Sequence, residues 1–174
     1  WCPVCHTTIA EAEVEYKQTE GTLYYIRFDL NKGGYVVVAT TRPELLGATA
    51  ALLYNPKDER YKNLKDSEAI IPIYNYSVPI LEHPSVKPEF GSGVMMLSSF
   101  GDLEDIRLFR ELGFKPRILI DKDGKMNELA GKYQGLSVEE ARKAIVKDLK
   151  DMGYVVKEEK ILQNIPICWR SKNP

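Results

Sequence analysis

Two short stretches of this sequence hold side chains capable of chemistry at fixed spacing: Thr40-Thr41-Arg42-Pro43-Glu44 and Asp102-Leu103-Glu104-Asp105. Two carboxylates three residues apart can grip an ammonium group and orient a water molecule. Hydroxyls beside a guanidinium supply donors for a developing oxyanion or an anionic ligand. Thiols form a third set: Cys2 and Cys5 make a CxxC near one end, and Cys168 stands near the other with Ser171 where a second CxxC would end. Four cysteines so spaced bind structural zinc tetrahedrally, and a serine hydroxyl is a poor substitute for the fourth. Cys2, Cys5 and Cys168 are thus candidate ligands for a structural Zn2+, against the alternative of three reduced, structurally idle thiols. The odd count argues against a disulfide.

The first stretch follows Tyr35-Val36-Val37-Val38-Ala39, a β-branched run that predicts a buried strand through Thr41. A strand feeding a Pro-initiated turn would hold Thr40, Thr41, Arg42 and Glu44 on a stiff support. The same residues also fit a plain strand end with Pro43 as the first helical residue. The second stretch follows a turn at Gly91-Ser92-Gly93 and a hydrophobic strand. Ile106, Phe109 and Leu112 then recur at helical spacing before a stop at Gly113. Asp102 is a natural N-cap, and Asp105 can reach back to the capping residue's amide. Capping and the helix dipole alone favour both acids, by a few tenths to about 1 kcal/mol each.

Elsewhere, strands are expected over Ala12 to Tyr16 and Leu23 to Leu30 with a hairpin at Glu20-Gly21, over Ala50 to Tyr54, and over Ile70 to Ile73 and Ser77 to Leu81. Pro72 and Pro79 favour edges or bulges. Asp123-Gly124 marks a tight hairpin, and Val155 to Ile167 an extended return. Ser137-Val138-Glu139-Glu140 opens the longest helix as a capping box, with Val138, Ala141, Ile145, Leu149 and Met152 as its apolar stripe and Gly153 as its end. Arg142, Lys143, Lys147 and Lys150 read as its solvated face. Many short strands with a few helices around them give an α+β class with a β-barrel-like core and peripheral helices.

Thr40-Thr41-Arg42-Pro43-Glu44-Leu45-Leu46 resembles the TTRPE motif in the editing insertion, or connective polypeptide, of class I aminoacyl-tRNA synthetases, in the wording of archaeal-type valyl enzymes. Phe90-Gly91-Ser92-Gly93 and Asp102-Leu103-Glu104-Asp105 are similar to that family's FGTG turn and D-x-x-D pair in order and spacing. The resemblance implies the shared valyl, isoleucyl and leucyl editing fold, and hydrolysis of mischarged Thr-tRNA(Val) as the activity. It places Asp105 on the substrate's α-amino group and Asp102 on the side-chain hydroxyl or water. Thr40, Thr41, Arg42, Glu44 and Ser98 then serve the substrate and the tRNA end. Phe100-Gly101 stands where bacterial relatives carry Ala-His, Met96 where they carry Lys, and Ser98 where they carry Thr. The alternatives are isoleucyl-type editing of Val-tRNA(Ile), or a non-catalytic tRNA-binding module.

The resemblance further implies a single editing domain over 1–174, carried within a longer synthetase, with 1–8 and 165–174 as zinc-knuckle-like junctions. No HIGH-like, KMSKS-like or Gly-rich phosphate motif occurs, so no ligase activity is expected of this stretch. Editing itself needs no cofactor, and ATP belongs to the parent enzyme alone. The expected partners are the tRNA(Val) acceptor end carrying threonine and the remaining synthetase domains, with the isolated domain a monomer. His6 and His83 lie outside the motifs and are expected at the surface. With 44% hydrophobic residues the chain can build a substantial core. Its 24 basic and 25 acidic residues leave a net charge of −1, so any tRNA contact must be local. No apolar run approaches the roughly 20 residues needed to cross a bilayer and no signal pattern opens the chain, so no membrane role and a cytoplasmic location are expected.

Overall fold

The computed structural model describes all 174 residues. Seven strands make one mixed sheet. They are β1 (Val14–Leu30), β2 (Tyr35–Thr40), β3 (Thr49–Tyr54), β4 (Glu68–Ile70), β5 (Ser77–Glu82), β6 (Val94–Ser98) and β7 (Val155–Cys168), with helices α1 (Leu103–Leu112) and α2 (Val138–Asp151) outside it. The hydrogen-bonded order is β2-β1-β4-β5-β3-β6, and β7 pairs with the long β1. Only β3 and β5 run parallel. The end strands β2 and β6 approach each other without a shared ladder, so the sheet curls into the expected barrel-like α+β core but does not close by hydrogen bonds.

The alternation of β3 shows how the layers form. Leu52 and Tyr54 point into the main core with Ile26, Val38, Met96 and Ile145, while Ala51 and Leu53 point the other way onto Leu108 and Phe109 of α1. A strand buried on both faces reads as an unbroken apolar run, as Ala50-Ala51-Leu52-Leu53-Tyr54 does. Val94 and Met96 of β6 share the main core, and Leu97 joins the α1 side. Strand β6 therefore leads α1 directly off the packed sheet. No helix is long and apolar enough to cross a membrane.

Several local expectations are corrected. Glu20-Gly21 is no hairpin: β1 runs straight through it, with Gly21 opposite Ile161 of β7. The ladder with β7 spans Val14 to Ile26 and supplies the partners that a turn would have removed. Residues expected as a strand over Ile70 to Ile73 are mostly turn, because β4 ends at Ile70. Pro79 lies in an interior strand, just outside the parallel ladder that starts at Ile80. Met152 caps α2 and is 55% exposed, and Val146 takes the core position instead. Asp123-Gly124 makes its tight turn, closed by one bridge between Ile120 and Met126. His83 is buried rather than exposed: its Nδ1 accepts from the Ser85 amide and its Nε2 lies 3.1 Å from Glu111, which ties the end of β5 to the last turn of α1. Glu111 is six residues beyond Asp105, about 9 Å along the helix axis, so His83 is remote from the acids.

Candidate active site

Strand β2 ends at Thr40, whose Oγ1 accepts the Arg42 amide at 3.0 Å and tightens the turn. Pro43 then starts a 3-10 segment, Pro43–Ala48, in which every residue is buried. Burial reaches even Glu44, with no exposed surface at all. Its carboxylate is held from two sides. Arg142 of α2 donates Nε to Oε2 and Nη2 to Oε1, both at 2.8 Å, and Arg42 donates Nε to Oε1 at 3.0 Å. Burial pushes the Glu44 carboxyl up, but the hydrogen bonds and charge of Arg142, with the charge of Arg42, outweigh it and hold the group below its ordinary range.

Arg42 also joins the two motifs. Its Nη1 donates to the Gly101 carbonyl at 2.7 Å, one residue before the first acid. The turn there is tight: Phe100 sits at φ 57, a conformation uncommon for a residue with a bulky side chain. Gly101 allows a close approach, since a Cβ at this position would overlap Asp105 Oδ2. Asp102 caps α1 through Oδ1, which accepts the Asp105 amide at 2.8 Å, while the rest of its side chain is exposed. Asp105 itself is only 7% exposed. Burial and the neighbouring Asp102 charge push its carboxyl up to about 7, against the pull of backbone groups at Ser98 and Asp102 and of Arg42. The result is an acid near its midpoint at neutral pH beside a second, solvent-facing carboxylate, an arrangement suited to holding a cation or moving a proton.

The other expected contacts divide by burial. Thr40, Thr41 and Arg42 are half-buried and face the same turn, so each has surface for a ligand. Glu44 and Ser98 are enclosed instead, at 0% and 1% exposure. Ser98 is enclosed at the end of β6 with its Oγ 3.4 Å from that of Thr49. Met96 is core, so a Lys there would have to leave an apolar layer. The FGSG loop packs against β2, and a Cβ on Gly91 would come within 2.6 Å of Ala39 Cβ. Phe90 at its tip is 65% exposed. Arg142, expected on the solvated face of α2, is the support that sequence reasoning missed. Its one signal is a lone Arg on a face otherwise made of Lys143, Lys147 and Lys150, since only the guanidinium fork can grip a carboxylate bidentately.

A cavity of about 660 Å³ is an open groove beside α2 lined mainly by its charged face. It holds none of the motif residues, and its Lys147 and Lys150 are paired with Asp151 and Glu158. The two acids lie apart from it, at the turn between β6 and α1.

At the chain ends, the sulfurs of Cys2, Cys5 and Cys168 lie within 4.8 Å of one another. Ser171 Oγ is 3.3 Å from Cys2 Sγ, and the Cys5 amide donates to that sulfur at 3.4 Å. These donors fit a zinc ion with three thiolates and one weak oxygen corner. Such an ion would pin residues 1–8 to the end of β7. Ser171→Cys is expected to tighten zinc at least tenfold, about 1.4 kcal/mol, measured by chelator competition. An unchanged affinity would mean that the three thiols do not form a metal site.

No family model matches the chain. It is similar along its whole length to the valine-tRNA ligase of Aeropyrum pernix, at 54% identity over 175 aligned residues. It is likewise similar, at 47%, to that of Methanocaldococcus jannaschii. The Saccharolobus solfataricus ligase is 45% identical over 95% of the chain. The chain spans about a fifth of the length of these curated relatives: 21% of the first and 20% of the others. In structure it resembles a LeuRS of Agrobacterium radiobacter K84 solved in ternary complex with tRNA and LeuAMS. The TM-score is 0.59 at 19% identity, covering 84% of this chain and 20% of that one, which shows a shared fold.

Proposed function

Since this chain is, over its whole length, a homologue of a segment of archaeal valine-tRNA ligases, we propose that it edits: it hydrolyses the ester of threonine wrongly attached to tRNA(Val). The observation that carries this reading is the buried Asp105 beside the exposed Asp102, joined by Arg42 to the Thr40-Thr41 turn. An α-ammonium group placed against Asp105 would pull that carboxyl below 7 and so create its own counter-charge. Asp102 keeps a free oxygen for the threonine hydroxyl or for the attacking water. Water adds to the ester carbonyl, the oxyanion draws on donors from the Thr40 to Arg42 turn, and the C–O bond breaks to free threonine and the ribose hydroxyl. Cys2, Cys5 and Cys168 take no part in these steps.

The reading also gives the domain a purpose. Threonine and valine are near-isosteres, so a synthesis pocket sized for valine cannot strongly reject threonine, and a second, polar site must. Valine in that second site would leave Asp102 without its hydroxyl partner, at a cost of about 1 to 3 kcal/mol. The test is amino-acid release from Thr-tRNA(Val), Val-tRNA(Val) and Val-tRNA(Ile). It uses the chain itself and a chimaera in which the chain replaces the matching fifth of the Aeropyrum pernix ligase. Selective threonine release is expected. Selective attack on Val-tRNA(Ile) would move the specificity to the isoleucyl type, and no release by either protein would leave a non-catalytic tRNA-binding segment.

A further inference from the structure

We infer that Arg142, on α2 and outside both motifs, is a positioning residue for the hydrolytic site, fixing Arg42 through Glu44 and thereby the peptide that leads into Asp102. The inference rests on the editing reading and adds a residue to it. The chain of contacts is continuous: Arg142 to both oxygens of Glu44, Glu44 to Arg42 Nε, and Arg42 Nη1 to the Gly101 carbonyl. Its far end is rigid. Arg142 follows Ala141, a fully buried residue of α2, and that helix is anchored by the Ser137 capping box and by Ile145 and Leu149 in the main core.

The division of donors is what makes Arg142 matter. Glu44 Oε2 has Arg142 Nε as its partner, and Oε1 is shared by both arginines. Without Arg142, a fully buried carboxylate oxygen loses its donor, and the nearest replacement is the Arg42 fork. Turning that fork onto both oxygens takes Nη1 away from Gly101, and the turn carrying Phe100 and the two acids is released. A 1 Å displacement there is enough to cost a large factor in rate.

The experiment compares Arg142→Ala and Arg142→Lys with Lys147→Ala, which removes a cation from the same helix that pairs only with surface Asp151. Deacylation in the chimaera, its pH profile and the ¹³C titration of the Asp105 carboxyl are measured, with thermal unfolding alongside. Arg142→Ala is expected to lower kcat at least about tenfold. It should also move the Asp105 titration upward as Arg42 leaves. Arg142→Lys should recover part of both, and Lys147→Ala neither. An Arg142→Ala protein that melts lower yet keeps its kcat and its Asp105 titration would overturn the inference, leaving Arg142 a plain stabiliser. If the unsubstituted protein releases no amino acid, the editing reading fails, and the Asp105 titration still decides whether Arg142 positions the turn. Should Arg142→Ala not fold, Arg142→Lys is compared with wild type by the same two readouts.

Discussion

Asp105→Asn is expected to abolish ester hydrolysis while making the protein harder to unfold at pH 8. The two effects share one cause. In the folded chain the Asp105 carboxyl is pushed up to about 7 from an ordinary 3.8, so the fold favours its neutral form. As pH rises from about 4 the unfolded chain loses this proton first, and stability falls until the folded group ionises near 7. Above that the full penalty stands, at most about 4 kcal/mol for a rise of this size. Asparagine has the shape of the neutral acid and no proton to lose. The variant should match wild type in urea unfolding at pH 4 and exceed it by a few kcal/mol at pH 8. It cannot offer a carboxylate to an ammonium group, so kcat/KM for threonine release should drop by at least about 100-fold. Retained activity, with a stability loss at both pH values, would reduce Asp105 to a residue that merely starts a helix.

The parts of this site that were legible in sequence are those fixed within a few residues. Asp102 caps α1, Ser137 caps α2 and Gly113 takes the left-handed position after Leu112, because each depends only on nearby backbone groups. The strand into Thr40 was legible from its valines. What escaped was decided by partners far along the chain. Gly21 looked like a turn because nothing near it announces Ile161 as its strand partner. His83 looked exposed because its neighbour Glu111 lies 28 residues away. Glu44 looked like a surface acid in a polar turn, and the Arg that buries it is 98 residues further on. Composition is silent on such pairings, since the same Arg on the same helix face would ordinarily be solvated.

That distant pairing gives Glu44 a large expected contribution to stability. Glu44→Ala leaves two guanidiniums facing a vacated, enclosed position, and each retains only about a third of its side-chain exposure: 36% for Arg42 and 35% for Arg142. Removing one partner of a buried pair costs more than the pair contributes, because an uncompensated charge remains. The partial exposure of both arginines moderates this, and the expected loss is about 3 kcal/mol, or roughly 10 °C in melting temperature for a chain of this size. Glu44 is held below its ordinary range, so its contribution is present at neutral pH and disappears as acid protonates the folded carboxyl. The difference between Glu44→Ala and wild type should therefore shrink at low pH. Glu44→Leu combined with Arg142→Met should recover much of the stability, since apolar groups of similar volume can replace a buried ion pair at little cost. The double variant should nonetheless stay slow in threonine release, because nothing then holds Arg42 against the Gly101 carbonyl. A double variant restored in both melting and rate would show that the ion cluster serves packing alone. Restored melting with a lost rate would separate folding from alignment: the core needs only the volume of Glu44, and the acid turn needs its charge.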